Sequence, residues 1–142
     1  MDFSKASDMV KHILHADKLK SLDLNPYILN WYLSFSCDRQ QRVEYNNSFV
    51  GEWEDVNTGT TQESVSGPYL QTFFLNDLNI QSEGVGILFS YAGDTNIVIR
   101  LWKHGVDQSP EVVDNFLRWS EKNFLSCNPS KCIELILPKK DL

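Results

Sequence analysis

Val85-Gly86-Ile87-Leu88-Phe89-Ser90-Tyr91-Ala92-Gly93-Asp94-Thr95-Asn96-Ile97-Val98-Ile99-Arg100-Leu101-Trp102 decides the fold. Two apolar runs rich in β-branched and aromatic residues, 85–90 and 95–102, flank Tyr91-Ala92-Gly93-Asp94, which is the composition of an antiparallel hairpin closed by a tight turn. Glycine is at home in such a turn because it has no Cβ to oppose a positive φ. Asp94 beside it projects one carboxylate from the tip, where a hard divalent cation favours several oxygen donors.

Working outward, Gly67-Pro68 opens an apolar segment through Tyr69, Leu70, Phe73, Phe74 and Leu78 whose spacing predicts a helix ending near Asn79. Beyond the hairpin, Ser109-Pro110-Glu111 is a cap-plus-proline start. Val112, Val113, Phe116, Leu117 and Trp119 or Ser120 carry that helix toward Phe124, and Asn128-Pro129 stops it. Cys132-Ile133-Glu134-Leu135-Ile136-Leu137 reads as a short strand, apolar enough to be largely buried. On the other side of the chain, Ala6, Met9, Val10, Ile13, Leu14 and Leu19 recur at helical spacing with Lys11, Lys18 and Lys20 between them, which predicts one amphipathic helix over 4–19. Asn25-Pro26 is an N-cap followed by proline at the first helical position, and the stripe Tyr27, Ile28, Trp31, Tyr32, Phe35 is expected in the core. Residues 42–45 and 53–56 resemble two strands joined through the polar Asn46-Asn47-Ser48. The order helix, helix, hairpin, helix, hairpin, helix, strand is that of an α+β domain with helices packed on an antiparallel sheet.

At 142 residues and 42% hydrophobic content, the chain is expected to form one domain, or part of one, with a core of ordinary size. Residues 1–5 lack the apolar run of a signal peptide, and no stretch approaches the roughly 20 apolar residues of a membrane span, so a chain without membrane partners, in the cytoplasm or nucleus, is expected. Three cysteines, Cys37, Cys127 and Cys132, are read as reduced thiols that serve packing, since no second Cys or His pair accompanies the C-x4-C spacing of the last two. His12 and His15, one helical turn apart, lack an evident third metal ligand and are expected on a partly exposed helix face. His104 falls in an expected loop. The net charge of −6 argues against tight autonomous binding of nucleic acid, because phosphate contacts need clustered Lys and Arg. Lys139 and Lys140 read as a solvated tail.

Three segments carry chemistry in order: Asp2-Phe3-Ser4-Lys5-Ala6-Ser7-Asp8, Gln62-Glu63-Ser64-Val65-Ser66-Gly67-Pro68 and Tyr91-Ala92-Gly93-Asp94. In order and spacing they resemble the reverse transcriptase of non-LTR, LINE-type retrotransposons, whose patterns run close to D-F-S-K-A-F-D, Q-G-S-V-x-G-P and Y-A-D-D. Asp38-Arg39-Gln40-Gln41-Arg42-Val43 between the first two, and Asn128-Pro129-Ser130-Lys131-Cys132 after the third, also look like the family. The resemblance thus spans nearly the whole chain.

What the resemblance implies is a polymerase palm and an RNA-directed DNA polymerase that uses an RNA template, a DNA primer and deoxynucleoside triphosphates. Two Mg²⁺ ions held by carboxylates would activate the primer 3′-hydroxyl and neutralise charge on the triphosphate. Under it, Asp2 and Asp94 are the catalytic metal ligands, with the Phe3 carbonyl adjacent. Ser7 stands where an aromatic packs under the sugar and excludes a 2′-hydroxyl. Gln62 borders the incoming nucleotide and template base, and Lys131 brings positive charge near the triphosphate. Fingers, thumb and endonuclease lie outside these residues, and the strand that leads into Asp2 is expected to be missing, which would leave Asp2 unheld and the hairpin with an unpaired edge.

Three positions depart from the family pattern. Ser7 replaces an aromatic, Glu63 replaces glycine, and Gly93 replaces the first aspartate of the hairpin pair. Each replacement needs one base change, as unselected drift in an old element copy produces. The resulting expectation is a degenerate palm fragment with little or no polymerase activity. The alternative is a non-enzymatic interaction domain that binds a protein partner or structured RNA, the acidic balance favouring protein. A third reading, an unrelated α+β binding module, requires the agreement of three motifs to be coincidence.

Overall fold

The computed structural model describes residues 1–61, 63–79, 86–91, 94–102 and 105–137. Along them run α1 (Ala6–Met9), α2 (His12–Ser21), α3 (Pro26–Ser36), β1 (Gln40–Tyr45), β2 (Ser48–Asp55), α4 (Ser66–Leu75), β3 (Gly86–Tyr91), β4 (Asp94–Ile99) and α5 (Ser109–Lys122), followed by a 3-10 turn at Pro129–Lys131. The class is α+β, with two antiparallel pairs, β1 with β2 and β3 with β4.

Local chemistry places several of these elements where the sequence reading does. Asn25 accepts a hydrogen bond from the Tyr27 amide at 2.9 Å, and Pro26 occupies the first turn of α3. Asn46 and Asn47 close the β1–β2 turn with φ of 49° and 58°, a left-handed pair that asparagine tolerates better than most residues. At the head of α5, the Asp107 carboxylate accepts the Ser109 amide at 2.9 Å, so Asp107 does the work expected of Ser109.

The core has two parts. Phe3, Val10, Phe74, Val112, Phe116 and Leu125 form the larger one, against which Leu88, Ile97 and Ile99 of the β3–β4 hairpin pack. Ala16, Leu19, Tyr32 and Leu70 join α2, α3 and α4 in the smaller. Buried His15 bridges them, with its ring edge-on to Tyr32 and to Phe74 and its Nδ1 2.9 Å from the Tyr32 hydroxyl.

Four expectations fail, each for a tertiary reason. The helix expected over 4–19 is broken at Val10 and Lys11, because the Val10 carbonyl accepts the Gly59 amide at 2.8 Å and Lys11 pairs with Thr58 across a single β bridge. On α3 it is Tyr32 that enters the core, with Leu29 and Leu33 against it, whereas Tyr27, Ile28 and Trp31 face outward. Residues 132–137 form no strand, and Ile133, Leu135, Ile136 and Leu137 are exposed. Finally, His15 is buried and does not lie on a partly exposed helix face, whereas His12 is half-buried, its ring Nδ1 3.1 Å from the Ser36 carbonyl and Nε2 2.7 Å from that of Gly59.

Lys11, Lys18 and Lys20 make local contacts. Lys18 binds the Phe74 carbonyl and Asp77, Lys20 pairs with Asp17, and Lys11 lies over the Phe124 ring. His104 and residues 139–140 lie outside the described residues.

Candidate functional site

The candidate site is built where residues 1–4 run between two neighbours. On one side the Thr95 amide donates to the Met1 carbonyl at 2.8 Å, and the Met1 ammonium returns a bond to the Thr95 carbonyl at 2.7 Å. On the other, Ser4 donates to Ser126 and Asn128 donates to Asp2, both at 2.8 Å. Two single-residue antiparallel bridges result, Asp2 with Asp94 and Phe3 with Cys127. The expectation of an unheld Asp2 and a bare hairpin edge is therefore corrected: the first residues of the chain themselves pair with the start of β4.

Alternation then sorts the side chains. Phe3 points into the core and stacks on Phe116, ring centroids 5.2 Å apart, as Thr95, Ile97 and Ile99 do from β4. Asp2 and Asp94 fall on the opposite face, as cross-strand neighbours with Cα atoms about 4.5–5.5 Å apart in such pairs. Two adjacent carboxylates repel, and Lys131 answers this: its Nζ lies 3.4 Å from Asp2 Oδ2. That oxygen is buried and has no hydrogen-bond partner, so the ion pair is its polar contact, whereas Asp94 is exposed.

The structure thus brings Asp2, Asp94 and Lys131 together, and it ties Ser7 to α4 and to the loop before it. Ser7 Oγ donates to Gln71 Oε1 of α4 at 2.9 Å, and the Ser7 carbonyl accepts the Thr60 amide at 2.7 Å, which docks the loop before α4 against the end of the first motif. Within that loop Ser64 Oγ bonds the Thr61 carbonyl at 2.6 Å and accepts the Gly67 amide at 2.9 Å. A Cβ on Gly67 would meet the Thr61 oxygen at 2.4 Å, so only glycine fits. Glu63 sits at a φ of 54°, a left-handed position at which the family pattern has glycine. Gln62 and Gly93 lie outside the described residues.

Two features escaped the sequence reading. One is a polar groove of about 470 Å³ lined by Asp8, Arg39, Gln41, Asp55, Thr58 and Thr60. Its signal in the sequence was that Asp8, Arg39 and Gln41 fall in segments that resemble the family. The other is the contact between Cys127 and Cys132, whose sulfurs are 3.4 Å apart. Burial and the neighbouring Cys132 push the Cys127 thiol up to about 11.

Among the described residues no group of three or more His, Cys, Asp or Glu side chains is placed to hold a metal ion, and no helix is long and apolar enough to cross a membrane. Asp2 and Asp94, the former charge-paired with Lys131, fall short of the donor set that two hard cations require. The sequence matches no family model, and neither a curated protein nor a solved structure matches the chain.

Proposed function

We propose that the chain is part of the palm of a non-LTR retroelement reverse transcriptase, an RNA-directed DNA polymerase domain, in a copy that no longer catalyses nucleotidyl transfer. The observation that carries this reading is the placement of Asp2 opposite Asp94 with Lys131 at 3.4 Å from Asp2, because the resemblance assigns these three residues, from three distant segments, to one site. In the family, Mg²⁺ supplies charge neutralisation at the triphosphate and the primer hydroxyl. Here Asp2 and Asp94 are the carboxylates that would hold it, with the Phe3 carbonyl adjacent, and Lys131 competes for Asp2. Glycine at position 93 removes a third carboxylate. If that ligand stabilises the transition state by about 4 kcal/mol, its loss slows the step roughly a thousandfold. Glu63 adds negative charge beside the triphosphate path, and Ser7 leaves the sugar pocket open.

The test is primer extension on an RNA template with Mg²⁺, for which no product above a protein-free control is expected. Extension that Asp94→Asn abolishes would overturn the inactivity. The palm assignment is tested separately by Mn²⁺ line broadening in NMR spectra: Gly93→Asp should strengthen broadening around Asp2 and Asp94 about tenfold, and Asp2→Asn should remove the gain. Broadening that ignores both substitutions sinks the assignment.

A second reading, a protein-binding domain, is favoured by one observation: Val43, Tyr45, Phe49, Val50 and Trp53 are all exposed on the β1–β2 hairpin. A stable fold that binds no protein and extends primers would dispose of it.

A further inference from the structure

We propose that Cys127 and Cys132 are a modification site, a dithiol that hydrogen peroxide converts to an intramolecular disulfide, fixing Lys131 against Asp2. The proposal is independent of the polymerase reading. Its basis is geometric. The two sulfurs stand 3.4 Å apart across a built turn, and both residues are half-buried, within reach of a small oxidant. The four residues between them are already ordered: Asn128 accepts from the Ser130 amide and hydroxyl at 3.2 and 2.7 Å, and the Lys131 amide donates to the Asn128 carbonyl at 3.1 Å. A disulfide S–S bond of about 2.05 Å needs the sulfurs to close by about 1.4 Å, within the reach of small side-chain rotations.

The same turn is tied to the carboxylate site at both ends. Cys127 bridges Phe3, the Asn128 amide donates to the Asp2 carbonyl at 2.8 Å, and Lys131 Nζ lies 3.4 Å from Asp2 Oδ2. Closing the ring across 127–132 therefore restrains the residue that carries the charge opposite Asp2. The thiolate is the reactive form of either cysteine, and the oxidation balances with Cys132 as the first nucleophile. Its thiolate attacks an oxygen of hydrogen peroxide, forming an S–O bond and breaking O–O; the departing hydroxide takes the thiol proton and leaves as water. The Cys127 thiolate then attacks the sulfenic sulfur, forming S–S and breaking S–O, and the second hydroxide takes the second proton. Two thiols are oxidised and one peroxide is reduced to two waters.

Cys37, exposed at the end of α3, provides an internal control. After exposure of the folded chain to hydrogen peroxide, alkylation should count one thiol in place of three, the mass should fall by about 2 Da on loss of two hydrogens, and peptide mapping should join 127 to 132 in a monomer. Dithiothreitol should restore all three thiols. In the oxidised chain the Asn128 and Lys131 amides should exchange about tenfold more slowly. Cys132→Ser, checked for native circular dichroism, should lose the two-thiol step. Retention of three thiols, dimers through Cys37, or oxygen adducts without a 127–132 bond would each overturn the site. Bond formation without slower exchange would overturn the restraint on Lys131.

Discussion

The two hairpins of this protein are similar in length, yet they occupy opposite situations. β3–β4 is one-sided: Leu88, Ile97 and Ile99 pack against the larger core, while Ile87, Phe89 and Val98 face outward. β1–β2 is two-sided: every residue of β2 is exposed, and within β1 only Arg42 is half-buried, its guanidinium lying over the rings of Phe49 and Trp53. The difference lies in what meets each hairpin. Residues 1–4 and α5 bring Phe3 and Phe116 under β4, whereas no apolar cluster of the described residues lies under β2. A hairpin alone is marginal in water, so β3–β4 draws its stability from the core, and β1–β2 rests on its turn and its cross-strand pairs.

That contrast is most easily broken at Phe116, which is fully buried. Phe116→Ala should destabilise the chain by about 3–5 kcal/mol in urea unfolding, and amide protection in β3–β4 should fall by the same free energy while that in β1–β2 hardly moves. Equal losses in both hairpins would show that they share one cooperative unit.

A gentler probe of the same core is pH. Burial, then the positive neighbours His12 and Lys18, hold buried His15 at about 4, against its ordinary 6.5. Between these values the unfolded chain binds more protons than the folded one. The contribution to stability is therefore complete above pH 6.5, declines as pH falls through the window, and levels off below 4. From pH 7 to 4.5 the loss should be about 2 kcal/mol. His15→Gln should flatten that slope, and an unchanged slope would assign it to another group.

The free hairpin responds to its turn. Asn47, at a φ of 58°, is best replaced by glycine in a turn of this type, so Asn47→Gly should stabilise β1–β2 locally by about 0.5–1 kcal/mol, seen as slower exchange of its amides with the global unfolding midpoint unchanged. The smallest effect is expected at Trp53, which is 55% exposed: Trp53→Ala should cost less than about 1 kcal/mol. A cost like that of Phe116→Ala would mean that the hairpin is packed after all.

What was legible in the sequence was what neighbours in the chain decide. Asn25-Pro26 caps α3, Asn46-Asn47 closes β1–β2, and the alternation of β4 separates core-facing Ile97 and Ile99 from outward Val98. What was illegible was decided by distant backbone. Nothing in the periodicity of Val10 and Lys11 announces that Gly59 and Thr58 will take their hydrogen-bonding edges and break the helix. The stripe Tyr27, Ile28, Trp31, Tyr32 and Phe35 of α3 was read as core, although a helix buries one face, and the face with Tyr32 was chosen by α2 and α4. At the site, the resemblance grouped Asp2, Asp94 and Lys131, and they stand together. The partner of the Ser7 hydroxyl, Gln71, is a residue no motif singled out. The C-x4-C spacing was visible, but its closeness in space came from the turn that Asn128 and Pro129 begin.

The bond from the Met1 ammonium to the Thr95 carbonyl has a practical side for anyone who builds on this chain. Met1 and Thr95 already exchange both backbone bonds, so a residue joined ahead of Met1 would fall opposite Asn96 and could continue the ladder along β4. A purification handle at the amino end is then a change to the sheet itself, an added strand whose side chains alternate between the core face and the carboxylate face.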